Sequence, residues 1–223
     1  DVALLALAGR HGSGSHRHAD QGNVALIADG HLLIGPTGTF GRQYGTAHHR
    51  GWTQQSQAHN VILVDGEGQP YGNPRACGRV TAFHDHGACI DLAACYPRLR
   101  SCERTLDVDH DRLTVEITDR VNADTPVAIT WLLHTWSRPE IMDGRVLVRR
   151  GGWTARINLT VDGAETGPVQ VTDRFAVDVN AGEPPEWRVE RPDRHHLRWD
   201  LAPATALTIR ARIALEEPTH SQP

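Results

Sequence analysis

Two short runs carry residue types able to do chemistry together. Residues 15–20 read Ser-His-Arg-His-Ala-Asp, and residues 58–60 read Ala-His-Asn. On an extended backbone His16, His18 and Asp20 alternate onto one face of a strand. Same-side neighbours at that spacing stand roughly 6.5–7 Å apart. That is too far for mutual hydrogen bonding, but close enough to ring a shared metal ion or a sugar. Imidazole suits zinc, and carboxylates join it. One histidine would then bind metal and another act on substrate, while Asp20 orients or ligates. The alternative is two surface histidines and a turn-supporting aspartate in a histidine-rich chain. His59 stands at the entrance to an apolar strand, from which its ring can reach a neighbouring strand. Asn60 either fixes its own loop or holds an imidazole tautomer from behind.

Side chains so placed need elements to hold them, and the pattern reads almost entirely as strands. Residues 2–8 are aliphatic, and 9–14 form a glycine-rich connection. Residues 16–28 read as a strand with a polar first half and an apolar second half. Asp29-Gly30 then opens a tight hairpin into 31–34. A long glycine-punctuated loop covers 35–51, and an apolar strand over 60–64 ends at Asp65-Gly66. Further strands are expected over 79–84, 88–94, 103–108, 112–119, 127–134, 145–148, 153–161, 169–177, 195–199 and 206–214. Turn signals recur at 109–111, 122–124, 143–144, 162–163, 182–185 and 191–193. Many short strands, evenly spaced turns and no helical period predict an all-β fold, a large antiparallel β-sandwich. It is expected to be one domain over residues 1–216, followed by a flexible polar tail over 217–223.

Composition narrows the function classes. The chain has 223 residues and a net charge of -4, with no lysine among its 23 basic residues. That charge argues against non-specific nucleic-acid binding. No apolar run approaches the ~20 residues of a membrane-spanning helix, and no signal-peptide pattern is visible, so no membrane partner is expected. The 14 histidines would swing the charge positive on acidification. Cys77, Cys89, Cys95 and Cys102 show no zinc-knuckle spacing and read as buried free thiols. A serine-hydrolase elbow, a phosphate loop and a dinucleotide fingerprint are all absent from the sequence.

The run over residues 4–30 resembles the start of the β-sandwich part of heparinase II/III-like polysaccharide lyases. The His-x-His-x-Asp of 16–20, the Ala-His-Asn of 58–60 and Val64-Asp65-Gly66 carry the likeness, with Glu103-Arg104-Thr105 and Trp131-Leu-Leu-His-Thr135 further on. What the resemblance implies is concrete. Full-length members pair an N-terminal helical toroid with the sandwich, enclose a cleft between them, and cleave uronate-containing acidic polysaccharides by β-elimination. They are secreted or periplasmic. The resemblance puts His16 at the substrate and makes His18 and His59 ligands of a structural zinc, with Asp20 and Asn60 supporting them. In this chain Gly35 stands where the family's third ligand, an aspartate, is expected, leaving Asp20 or His31 to substitute. The toroid lies outside this sequence and would be a partner in the same protein.

Other residues of the long loop are candidates for substrate binding. Tyr44 is placed for sugar stacking or acid work, and Arg42 and Arg50 for a uronate carboxylate. Each has an ordinary loop role as the alternative. His84-Asp85-His86 reads as a hairpin tip, Trp131, Trp136, Trp153 and Trp199 as core, and the Asn158-Leu-Thr sequon as a strand segment.

Overall fold

The computed structural model describes residues 1–9, 17–38, 40 and 44–218. His16 and Arg42 lie outside the described residues, as do most of the 9–14 connection and the tail beyond 218.

Among the described residues the regular structure is strand. The elements are β1 (Val2–Ala6), β2 (Val24–Ala28), β3 (His31–Ile34), β4 (Ile62–Val64), β5 (Arg79–His84), β6 (Gly87–Asp91), β7 (Ser101–Asp109), β8 (Thr114–Thr135), β9 (Glu140–Met142), β10 (Arg145–Arg150), β11 (Trp153–Asp162), β12 (Gln170–Thr172) and β13 (His195–Glu216). Neighbours are hydrogen-bonded in the order β1-β2-β3-β8-β13-β11-β10-β9, with β7-β6-β5 and β4 also joined through β8 and β12 joined to β13. Every pairing is antiparallel. The expected all-β sandwich is the fold observed.

The expected hairpin at Asp29-Gly30 is present, with φ of 44° and 75° at the two residues, the left-handed pair a tight two-residue turn needs. The main difference lies in β8 and β13, each 22 residues long. Each joins two strands expected to be separate, and the turn expected at 122–124 is exposed strand instead. The physical reason is pairing. One half of β8 lies beside β7 and the other half beside β3 and β4, while β13 accompanies it throughout, with register shifts between Leu201 and Ala206. A long partner carries the backbone hydrogen bonds through a stretch whose composition alone suggests a turn.

Two other expectations need correcting. The strand expected over 169–177 shrinks to β12, and the rest of that segment is irregular. The strand expected from residue 16 begins only at Val24, and described residues 17–23 are turn and loop. The core is built from the inward faces of the long strands, with Trp131 and Trp199 edge to face at 5.4 Å. Trp153 is buried with them, whereas Trp136 is half-buried. All four cysteines are free thiols, with Cys95 and Cys102 buried. No helix of the described residues is long and apolar enough to cross a membrane.

Candidate functional site

Because residues 17–23 are not in a sheet, their backbone groups must find partners elsewhere. They find them in the 54–60 segment. The Ala19 N–H donates to the Gln54 carbonyl at 2.9 Å, and the Ser56 hydroxyl donates to the Ala19 carbonyl at 2.7 Å. Gln69 bonds the Gln21 backbone through both ends of its side-chain amide, and its backbone N–H donates to Ser56 Oγ, so all three segments meet at one residue. The Asn60 N–H donates to Asn23 Oδ1, and Asn60 Nδ2 donates to the Val24 carbonyl. Gly22 makes the turn between loop and strand at φ 81°, lying on the Leu92 side chain.

This stitching sets His18 and Asp20 against His59. One ligand atom from each of the three lies within 4.8 Å of the others. The His18 and His59 rings are 5.2 Å apart between centroids. His59 is buried, and His18 and Asp20 are half-buried. His59 Nε2 donates to the Thr53 carbonyl at 3.0 Å, and its buried Nδ1 has no hydrogen-bond partner. One ring nitrogen is thus held by a carbonyl while the other presents a lone pair to the cluster, the arrangement typical of metal-ligating histidines. Burial and the neighbouring His18 push the His59 pKa down to about 3, keeping the ring neutral. Burial pushes the Asp20 carboxyl up to about 7, with its own backbone amide partly offsetting the rise. A carboxylate that burial disfavours so strongly gains most from a nearby cation. The donor set of two imidazoles and a carboxylate therefore fits a zinc-class ion.

The three-way grouping replaces the expected alternation on one strand face. It also brings in Asp20 where a ligand after the β2–β3 hairpin was expected. Gly35 has no side chain to offer as a ligand, and a Cβ there would come within 2.8 Å of the Leu32 side chain. His31 sits apart, its ring over Gly151. Among the described residues Asn60 bonds no imidazole nitrogen. Its Oδ1 accepts the His134 backbone N–H at 2.7 Å and its carbonyl accepts from Arg104. The imidazole tautomer of His59 is held by Thr53 instead.

Arg104 on β7 had no assigned role in the sequence reading. Its buried guanidinium forms a two-pronged ion pair with Asp119 on β8, both bonds 2.7 Å. Its remaining amino group reaches the carbonyls of Gly22 and Asn60 at 2.6 and 2.7 Å. One side chain thus ties both site-bearing segments to the core. Behind them, His134 Nε2 donates to the His59 carbonyl, and His134 Nδ1 lies 3.0 Å from His196 Nδ1. No spacing rule announces these contacts, because they join residues of three strands, Arg104 on β7, Asp119 and His134 on β8 and His196 on β13.

Residues 47–53 coil into a helical turn inside the expected loop, its π-helical part spanning His49–Thr53. His49 is buried and lies 6.4 Å from His18 and 5.4 Å from Tyr44 between ring centroids. Tyr44 is exposed beside the cluster, and Arg50 is exposed on the same turn. Trp52 and Phe175 pack beneath this turn on His196. His84 and His86 stand at the β5–β6 hairpin tip, as expected.

Comparison with known proteins agrees with this architecture. Residues 1–210 match the family model described as Heparinase II/III-like, C-terminal. A heparinase III structure superposes with a TM-score of 0.72 at 12% identity, over 98% of this chain and 33% of that one. The heparan sulfate lyase HepC from Pedobacter heparinus superposes with a TM-score of 0.66 at 14% identity, over 97% of this chain and 33% of that one. The chain therefore spans about a third of the length of these structures. No curated protein sequence matches it.

Proposed function

Since the chain belongs to the heparinase II/III-like C-terminal family, we propose that it is the β-sandwich part of a lyase that cleaves uronate-containing acidic glycans by β-elimination. In that reaction a base removes the proton beside the uronate carboxylate, the bond to the glycosidic oxygen breaks, a carbon–carbon double bond forms, and an acid protonates the leaving oxygen. The carboxylate must be neutralised for the proton to become acidic. His16 is the residue assigned to the reacting uronate. His18, Asp20 and His59 are the residues that would hold zinc, and Thr53 keeps the His59 lone pair turned toward it. Zinc, when bound, supplies charge that fixes this wall of the cleft. Tyr44, Arg42 and Arg50 are assigned to the sugar chain at its rim, and a helical toroid of the same protein would close the other side.

The observation that carries the reading is the convergence of His18, Asp20 and His59 around an unpartnered, buried imidazole nitrogen. Two measurements test it. Metal analysis of the purified chain should find stoichiometric zinc that His59→Ala loses. A chain that stays metal-free after zinc loading and dialysis would remove the metal assignment. The longest natural form of the protein, given heparan sulfate, should release unsaturated uronate absorbing in the near ultraviolet, and His16→Ala should slow that release by about 100-fold or more. Gly35, standing where the family's third ligand is expected, favours a second reading, a glycan-binding module without turnover. Binding with no unsaturated product would select it.

A further inference from the structure

Arg150, at the end of β10, and Arg194, just before β13, converge on Trp136, with guanidinium carbons 6.0 and 3.6 Å from its ring centroid. Arg194 also lies 5.4 Å from the Phe40 ring. Two like charges held this close repel, and neither forms an ion pair with a carboxylate among the described residues. Asp193, the adjacent acid, has its carboxylate 2.9 Å from His195 Nε2 instead. The protein anchors both guanidiniums with neutral carbonyls. Arg150 donates to the Trp136 carbonyl at 2.9 Å, and Arg194 donates to the Thr37 and Asp193 carbonyls at 3.2 and 2.7 Å. One amino group of each arginine bonds no described residue, and both side chains are half-buried. Burial and Arg150 both disfavour the charge on Arg194, so the pair would be relieved by an anion.

Thr37 links this pair to the site above. Its N–H donates to the carbonyl of Ala58, next to His59, and its hydroxyl accepts from Trp52 Nε1 at 3.0 Å. We propose that Arg150 and Arg194, carried on Trp136, form an anion subsite for a carboxylate or sulfate group of the glycan chain, joined through Thr37 to the segment that carries His59. Forked guanidinium donors match the planar or tetrahedral oxygens of these groups. The assignment of the anion to a glycan rests on the lyase-family reading; the anion site itself does not.

The test is calorimetric titration of the intact chain with a heparan sulfate oligosaccharide. Arg194→Gln and Arg150→Gln should each weaken binding by about tenfold, the loss of one charge-assisted hydrogen bond. Arg212→Gln, an exposed change at the far end of β13, should leave binding unchanged. If Arg194→Gln and Arg150→Gln bind as wild type does while keeping its near-ultraviolet dichroism, the subsite is wrong. It is equally wrong if the wild-type chain binds neither the oligosaccharide nor inorganic sulfate. A desulfated oligosaccharide identifies the group, since the arginine effect persists for a carboxylate and vanishes for a sulfate. Arginine-dependent binding by the longest natural form of the protein, without unsaturated product, would overturn the lyase reading and leave this site standing.

Discussion

Asn60 spreads its hydrogen-bonding groups over three pieces of the chain. Its N–H goes to Asn23, its amide nitrogen to Val24, its amide oxygen to His134 and its carbonyl to Arg104. A buried amide satisfied on all sides fixes geometry, and here the geometry is that of its neighbour His59. Asn60→Ala leaves the Val24 carbonyl and the His134 N–H without partners. The expected cost is about 2–4 kcal/mol, read from urea unfolding. A change within the experimental scatter of a surface substitution would show that water or a backbone shift replaces the amide. Asn60 was legible in the sequence as part of the Ala-His-Asn run, but its contacts were not, because they cross from 23 to 134 in the chain.

Among the elements, β7 and β8 matter beyond their own pairing. Arg104 and Asp119 face each other across them, and Trp131 Nε1 also donates to Asp119, at 2.8 Å. Arg104→Met leaves the Asp119 charge buried and uncompensated, and frees the Gly22 and Asn60 carbonyls. The expected loss is about 3–5 kcal/mol of stability. Adding Asp119→Leu should recover part of it, by removing the buried charge. Recovery should stay incomplete, because Trp131 Nε1 and the two carbonyls still lack partners. A double-mutant cycle in denaturant measures both terms, and full recovery would show that the arginine's bonds to Gly22 and Asn60 contribute nothing.

For the whole molecule, its 14 histidines make acid the informative variable. His196 is buried, and its pKa is lowered to about 4, by burial first and by His195 second. The unfolded chain therefore takes up that proton first. The stability it represents is complete above the unfolded value of about 6.5 and is lost as pH falls toward 4, about 3 kcal/mol in all. Asp20 acts in the opposite direction. Its folded pKa is raised, to about 7, so the metal-free native state binds the extra proton, and stability is gained as pH falls from 7 toward the unfolded carboxyl value. Denaturation midpoints of the metal-free chain between pH 7 and 4 should fall with acid. The fall should be shallower in His196→Gln and steeper in Asp20→Asn. The same slope in all three would refute both assignments.

The residue pattern alone determined the all-β class, the Asp29-Gly30 hairpin and most strand positions from 79 onward. These follow from local rules: alternation, turn chemistry and motif spacing act within a few residues of themselves. Tertiary structure alone decided that 17–23 is a stitched loop, that Asp20 rather than His31 joins the two imidazoles, that four expected strands are two long ones, and that Arg104 binds both site segments. Each of these depends on which distant segment offers a hydrogen-bond partner or fills a space, and alternation reads the same whether a polar run pairs with a sheet or with a loop.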